Sequence, residues 1–122
     1  MACTQCVIQS SCAYSASEGH LECLQYLLSS NVPIEKETTI EASKHGHLHI
    51  LRFLFENQYC EQECSWGFFI LFEAVSHGHL ECLRYAHEHG CELENNVLCN
   101  LAAKNGYLDC LHYLRVNGCP WD

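Results

Sequence analysis

Thiol and imidazole groups supply the chemistry in this chain, which holds 11 cysteines and nine histidines in 122 residues. Cys3 and Cys6 form a C-x-x-C pair, and Cys60 and Cys64 form a second close pair. Each pair can furnish two of the four tetrahedral ligands of a zinc ion, or the two thiols of a redox couple. A site built from Cys3, Cys6, Cys60 and Cys64 together is the alternative that a metal-binding or redox-responsive protein would require. The stretch "HGHLH", His45 to His49, offers three alternating imidazoles. Residues two apart on a helix point about 200° apart, so these rings are not expected to converge on one ion. His87 and Cys91 lie about one helical turn apart and make a weaker surface pair. Hydrolytic chemistry would need a nucleophile beside a base, or carboxylates paired in a cleft, and no such grouping stands apart here. There is no glycine-rich phosphate loop either. No catalytic residue is assigned, no enzyme activity is expected, and no cofactor is implied.

Whether the remaining thiols and rings are ligands depends on the elements that carry them, and those elements repeat. "GHLECL" occurs at Gly19 to Leu24 and again at Gly78 to Leu83, with related steps at Gly46 and Gly106. The four glycines are separated by 27, 32 and 28 residues. After each one the chain reads "HLECLQYLL", "HLHILRFLF", "HLECLRYAH" and "YLDCLHYLR". Apolar or cysteine side chains recur two, four, five and seven residues after the glycine, the spacing of an amphipathic helix with a broad buried stripe. Before each glycine lies a second helical segment, with Ala16, Ser43, Val75 and Ala103 small enough there for two helices to approach closely. Glycine in the left-handed region ends the first helix, so each copy is predicted to be helix, turn, helix. One such hairpin cannot bury its apolar face alone, and stacking four of them creates the core.

In this register seven cysteines become unremarkable: Cys12, Cys23, Cys82, Cys91, Cys99, Cys110 and Cys119 all fall where an apolar residue belongs. A free cysteine packs as a small hydrophobe, and core packing is the reading adopted for them. Ile50 takes the place of Cys23 and Cys82 in copy two, and Tyr107 takes that of His20, His47 and His79 in copy four. A ligand set does not survive such exchanges. The metal question therefore narrows to the four out-of-register cysteines, which precede copies one and three and should lie roughly two repeat widths apart in a linear stack.

Composition excludes several partner classes. A formal charge of -9, with 15 acidic residues against six basic ones, repels phosphate backbones and disfavours nucleic acid. The longest apolar run, "FFILF", is far short of the roughly 20 residues of a membrane span. "MACTQCVIQSSC" has neither a basic segment nor a sustained apolar one, so a soluble intracellular, cytoplasmic chain with reduced thiols is expected.

The stretch "AVSHGHLECLRYAHEHGCELE", Ala74 to Glu94, resembles the ankyrin-repeat consensus, in which "AA-x-x-GHLE" leads into an apolar helix. The likeness continues through "LAAKNGYLDCLHYLRVNGCPWD" and, more weakly, back to about Ser10. It implies an all-α, ankyrin-like solenoid of about four stacked helix-turn-helix repeats, in one array over residues 1–122. The repeats are placed at about 5–32, 33–60, 61–91 and 92–122. No copy carries the family's "T-P-L-H" opening, and most spacings fall about five residues below the usual 33. Shortened β-hairpin fingers are therefore expected, with more room only between copies two and three. Short, cysteine-rich copies of this kind are similar to the divergent arrays of protists and large DNA viruses.

From the same resemblance comes a function, a scaffold or adaptor that binds another protein on its concave helix face. The variable pair before each glycine is the implied contact set: Ser17 and Glu18, Lys44 and His45, Ser76 and His77, Lys104 and Asn105. Tyr14, Glu41, Glu73 and Leu101 would line the same groove, and a partner with a basic patch would suit the overall charge. The last helix keeps Leu108, Cys110, Leu111, Tyr113 and Leu114 in the internal pattern, where terminal repeats usually turn polar. Three ways to cover that face remain: Pro120 and Trp121 folding back, further repeats beyond this sequence, or end-to-end self-association of two molecules.

Overall fold

A computed structural model describes residues 11–34, 37–57, 59, 67–93 and 96–119. Cys3, Cys6, Cys60 and Cys64, with Pro120 and Trp121, lie outside the described residues. Eight helices are described: α1 Cys12–Glu18, α2 Leu21–Ser29, α3 Glu37–Lys44, α4 Leu48–Glu56, α5 Gly67–Ser76, α6 Leu80–Glu88, α7 Asn96–Asn105 and α8 Leu108–Val116. They pair as four hairpins, α1 with α2 through α7 with α8, and the hairpins stack in sequence order. No strand occurs among the described residues, and the linkers carry no β-hairpin finger there. The chain is an all-α solenoid of four helix-turn-helix units.

The same turn closes every first helix. Gly19, Gly46, Gly78 and Gly106 sit at φ 75°, 73°, 72° and 76°, where a side chain would be strained. Each glycine N–H donates back to the carbonyl three residues earlier, and the next N–H reaches back five, as from Gly19 to Ala16 and from His20 to Ser15. This Schellman arrangement satisfies the last carbonyls of the first helix and leaves the chain aimed into the second. At the start of α1, the Ser11 hydroxyl accepts from the Tyr14 N–H at 3.1 Å.

Core positions follow the repeat register closely. Four and five residues after each glycine lie Cys23 and Leu24, Ile50 and Leu51, Cys82 and Leu83, and Cys110 and Leu111, all buried except the half-buried Leu111. Among first helices, Ala16, Ala42, Ser43, Ala74, Val75 and Ala102 are wholly buried, and their small size lets α1, α3, α5 and α7 pack side by side. Ser43 stitches two of these helices together, its hydroxyl donating to the Ile70 carbonyl at 2.7 Å. First helices pack on one another more extensively than second helices do. Burying one Leu or Ile side chain contributes about 1.5–3 kcal/mol, and each internal interface buries several.

Candidate functional site

The first helices deliver their contact candidates at their C-terminal ends. Glu18, His45, His77, Lys104 and Asn105 are exposed, while Ser17, Lys44 and Ser76 are half-buried. Ser17 and Ser76 turn their hydroxyls onto their own helices, donating to the carbonyls of Tyr14 at 2.8 Å and Phe72 at 2.7 Å. His45 Nε2 lies 3.3 Å from the Glu41 carboxylate, and His77 Nδ1 lies 3.1 Å from the Glu73 carbonyl. The eight residues thus divide into two serines already engaged locally and a row of acidic, basic, imidazole and amide side chains, all exposed except the half-buried Lys44.

Beside that row runs a second one, built from the residue after each glycine. A side chain on Gly19 would meet the His47 ring at 2.8 Å, one on Gly46 the His79 ring at 2.6 Å, and one on Gly78 the Tyr107 ring at 2.7 Å. Each ring therefore lies flat against the glycine of the preceding repeat, a contact only glycine permits. His47 Nε2 donates to the Ser17 carbonyl at 3.1 Å, and His79 bonds the Lys44 carbonyl, the matching atom one repeat on. His49 Nε2 reaches the Gly19 carbonyl at 3.1 Å. None of the second helices has a side-chain cap hydrogen bond at its start; at α4, α6 and α8 the residue there is turned toward the preceding hairpin instead.

His45, His47 and His49 are closer together than the helical spacing predicts. Ring centroids of His45 and His47 stand 6.2 Å apart, and those of His47 and His49 5.9 Å apart. The Gly46 turn is the reason: it breaks the helical projection, so the three residues do not share one helix axis. His77 and His79 repeat the stacked pair at 6.3 Å. Burial holds the His47 and His79 rings below the ordinary histidine range, partly offset by their hydrogen bonds to carbonyls. Neighbouring imidazoles push the same way: His49 and His45 on His47, and His77, His47 and His45 on His79. The rings are positioned as stacked, neutral hydrogen-bonding groups. Among the described residues no three His, Cys, Asp or Glu side chains are placed to hold one metal ion.

His87 belongs to neither row, and its Nδ1 shares a 2.7 Å hydrogen bond with the Tyr113 hydroxyl across the third and fourth hairpins. Cys91, its presumed surface companion by spacing, packs instead against the first turn of α5, with its sulfur 3.3 Å from where a Gly67 side chain would begin. Sequence spacing alone missed the His87 to Tyr113 pair. The signal was present in the register, since Phe55 and Tyr85 occupy the same two places one repeat earlier and meet edge to face at 5.6 Å.

Of the seven in-register cysteines six are buried and Cys91 is half-buried. Burial pushes Cys82 and Cys110 up to about 11 and Cys99 up to about 12, so these three remain protonated and poorly nucleophilic near neutral pH. On the second-helix side, Leu21, His49, Arg52, Phe53, Glu56 and Asn57 border an open depression of about 270 Å³. It is smaller and shallower than the concave sites that enclose small ligands, roughly 300–1,000 Å³. No helix among the described residues is long and apolar enough to cross a membrane.

Comparison with known proteins agrees with this geometry. No match was found among curated proteins. The family model described as Ankyrin repeats (3 copies) matches residues 39–121, more than half of the chain, and covers the second, third and fourth hairpins. The first hairpin stands outside that match but has the same glycine turn and receives the His47 ring as the second and third receive those of His79 and Tyr107. By sequence and by architecture, the chain belongs to the ankyrin-repeat family.

Proposed function

We propose that this array is a scaffold or adaptor that binds a partner protein along the C-terminal ends of its first helices. The contact residues would be Ser17, Glu18, Lys44, His45, Ser76, His77, Lys104 and Asn105. The observation that carries the proposal is the unequal packing of the two layers. First helices crowd together while second helices pack more loosely, and on this reading the stack curves toward the first-helix side, which becomes the concave one. A concave, repetitive surface suits an extended polypeptide better than a small molecule.

The charge of this face differs from that of the whole chain. Lys44 and Lys104, two of only six basic residues, stand on it with Glu18, and His45 and His77 add imidazole rings. A partner segment of mixed polar character fits this row, so the overall acidity steers encounter more than it decides specificity.

The test is affinity capture with the intact chain, comparing a Lys44, His45, Ser76 and His77 quadruple alanine variant with an Arg52 and Arg84 double alanine variant. Arg52 and Arg84 are exposed on the second helices. Loss of the same bound proteins from the first variant only is expected. Retention by the first variant, or loss from the second alone, would reject this face.

A further inference from the structure

In the repeat register, the residue seven before each glycine and the residue thirteen after it belong to the same end of one hairpin, the end opposite the glycine turn. In the first three hairpins these places hold Cys12 and Val32, Thr39 and Tyr59, and Leu71 and Cys91. The fourth hairpin alone holds a thiol at both, with Cys99 in the first turn of α7 and Cys119 three residues beyond the end of α8. Packing does not call for two thiols, because Val, Thr, Tyr and Leu fill the same places elsewhere.

These two residues are already in contact. The Cys99 thiol donates to the Cys119 carbonyl, with sulfur and oxygen 4.0 Å apart, and it also bonds the Cys119 side chain. Cys99 is wholly buried and Cys119 is 6% exposed, and both belong to one core cluster with Leu98, Ala102, Cys110 and Leu114. Backbone structure holds them there. Gly118 turns at φ 83°, and the Cys119 N–H donates to the Leu114 carbonyl at 2.9 Å, so the chain leaving α8 is fixed over the start of α7.

We propose that Cys99 and Cys119 are an oxidation site, which closes to a disulfide when the chain meets a low-molecular-weight disulfide such as oxidised glutathione. Cys119, the more exposed of the two, loses its proton and attacks one sulfur of the oxidant, forming a mixed disulfide and releasing one glutathione thiol. Cys99 then loses its proton and attacks the Cys119 sulfur, expelling the second glutathione. Two protein thiols are oxidised, the small disulfide is reduced to two thiols, and the protons end on the released glutathione. Burial of Cys99 makes the second step the slow one. The bond joins residues 20 apart and ties α7 to the exit of α8, so that the fourth hairpin becomes a covalently closed loop. It does not depend on the partner-binding face proposed above.

The test is peptide mapping of the intact chain by mass spectrometry after incubation with oxidised glutathione at about pH 8, where thiolates begin to form, with unreacted thiols alkylated in denaturant before digestion. A peptide pair joined through Cys99 and Cys119 is expected, and a dithiol reductant should separate it. The oxidised chain should unfold at a urea concentration higher by about 1–2 M than the reduced chain, the scale for closing a loop of this length. Cys119→Val puts there the residue that the first hairpin uses, which keeps the packing, and should abolish both the link and the rise. Alkylation of both Cys99 and Cys119 after oxidation, a glutathione adduct on Cys119 that never resolves, or an undiminished rise in the Cys119→Val chain would overturn the proposal.

Discussion

Individual residues show how little of this chain's reactive-looking chemistry is free to react. Cys82, Cys99 and Cys110 are protonated core thiols, and His47 and His79 are neutral rings bonded to carbonyls of the preceding repeat. Because burial depresses those two histidines, the unfolded chain takes up their protons first as pH falls. Their contribution to stability is therefore complete above the unfolded value of about 6.5 and is lost as pH drops below it toward the folded values. The groups that face them are His45, His49 and Glu18 around His47, and His77, His47 and His45 around His79. Replacing both by tyrosine, the residue that copy four already uses, keeps a ring on each glycine but removes the titration. Urea unfolding at about pH 7.5 and about pH 5.5 should show a larger acid loss in the parent than in the His47→Tyr, His79→Tyr variant; parallel losses would refute the assignment. Thr38 makes the opposite case. Among the described residues its fully buried hydroxyl has no hydrogen-bond partner, so Thr38→Val should stabilise the fold by about 1 kcal/mol in the same assay, and a loss of stability would show that the hydroxyl is satisfied.

At the scale of elements, the glycine turn does two jobs that can be separated. Gly46 needs both a left-handed backbone and room for the His79 ring, whereas Gly106 shares the backbone and has no ring against it within the described residues. Gly46→Ala is expected to cost about 2–4 kcal/mol, and Gly106→Ala only the backbone penalty of about 1–2 kcal/mol, measured by denaturation of dilute protein. Equal losses would mean that ring packing is unimportant. Of these two jobs, only the first was legible in the sequence. "G-[HY]-L" after a helical stretch names a helix end by local chemistry, but which ring covers which glycine depends on how hairpins stack. Helix pairs, core cysteines and short linkers were readable for the same reason, being local periodicity. The pairing of His87 with Tyr113 was not, since it is decided by contact between repeats.

On the scale of the whole molecule, four nearly equivalent hairpins give a surface on which any feature recurs at each step. That recurrence is why contact residues can be named from the register before any partner is known, and why a partner should engage several repeats at once. The two helix layers differ in what they expose: second helices present Arg52 and Arg84 in exposed pairs with Glu56 and Glu81, while first-helix ends carry Lys44, His45, His77 and Lys104 of the proposed contact row. The most direct measurement of this division uses a photo-crosslinking side chain placed singly at positions 45, 77, 52 and 84 of the intact chain, with bound partner identified by mass spectrometry. Crosslinks from positions 45 and 77 to the same partner, and none from 52 and 84, are the expected result. Crosslinks confined to 52 and 84 would contradict a binding face on the first helices.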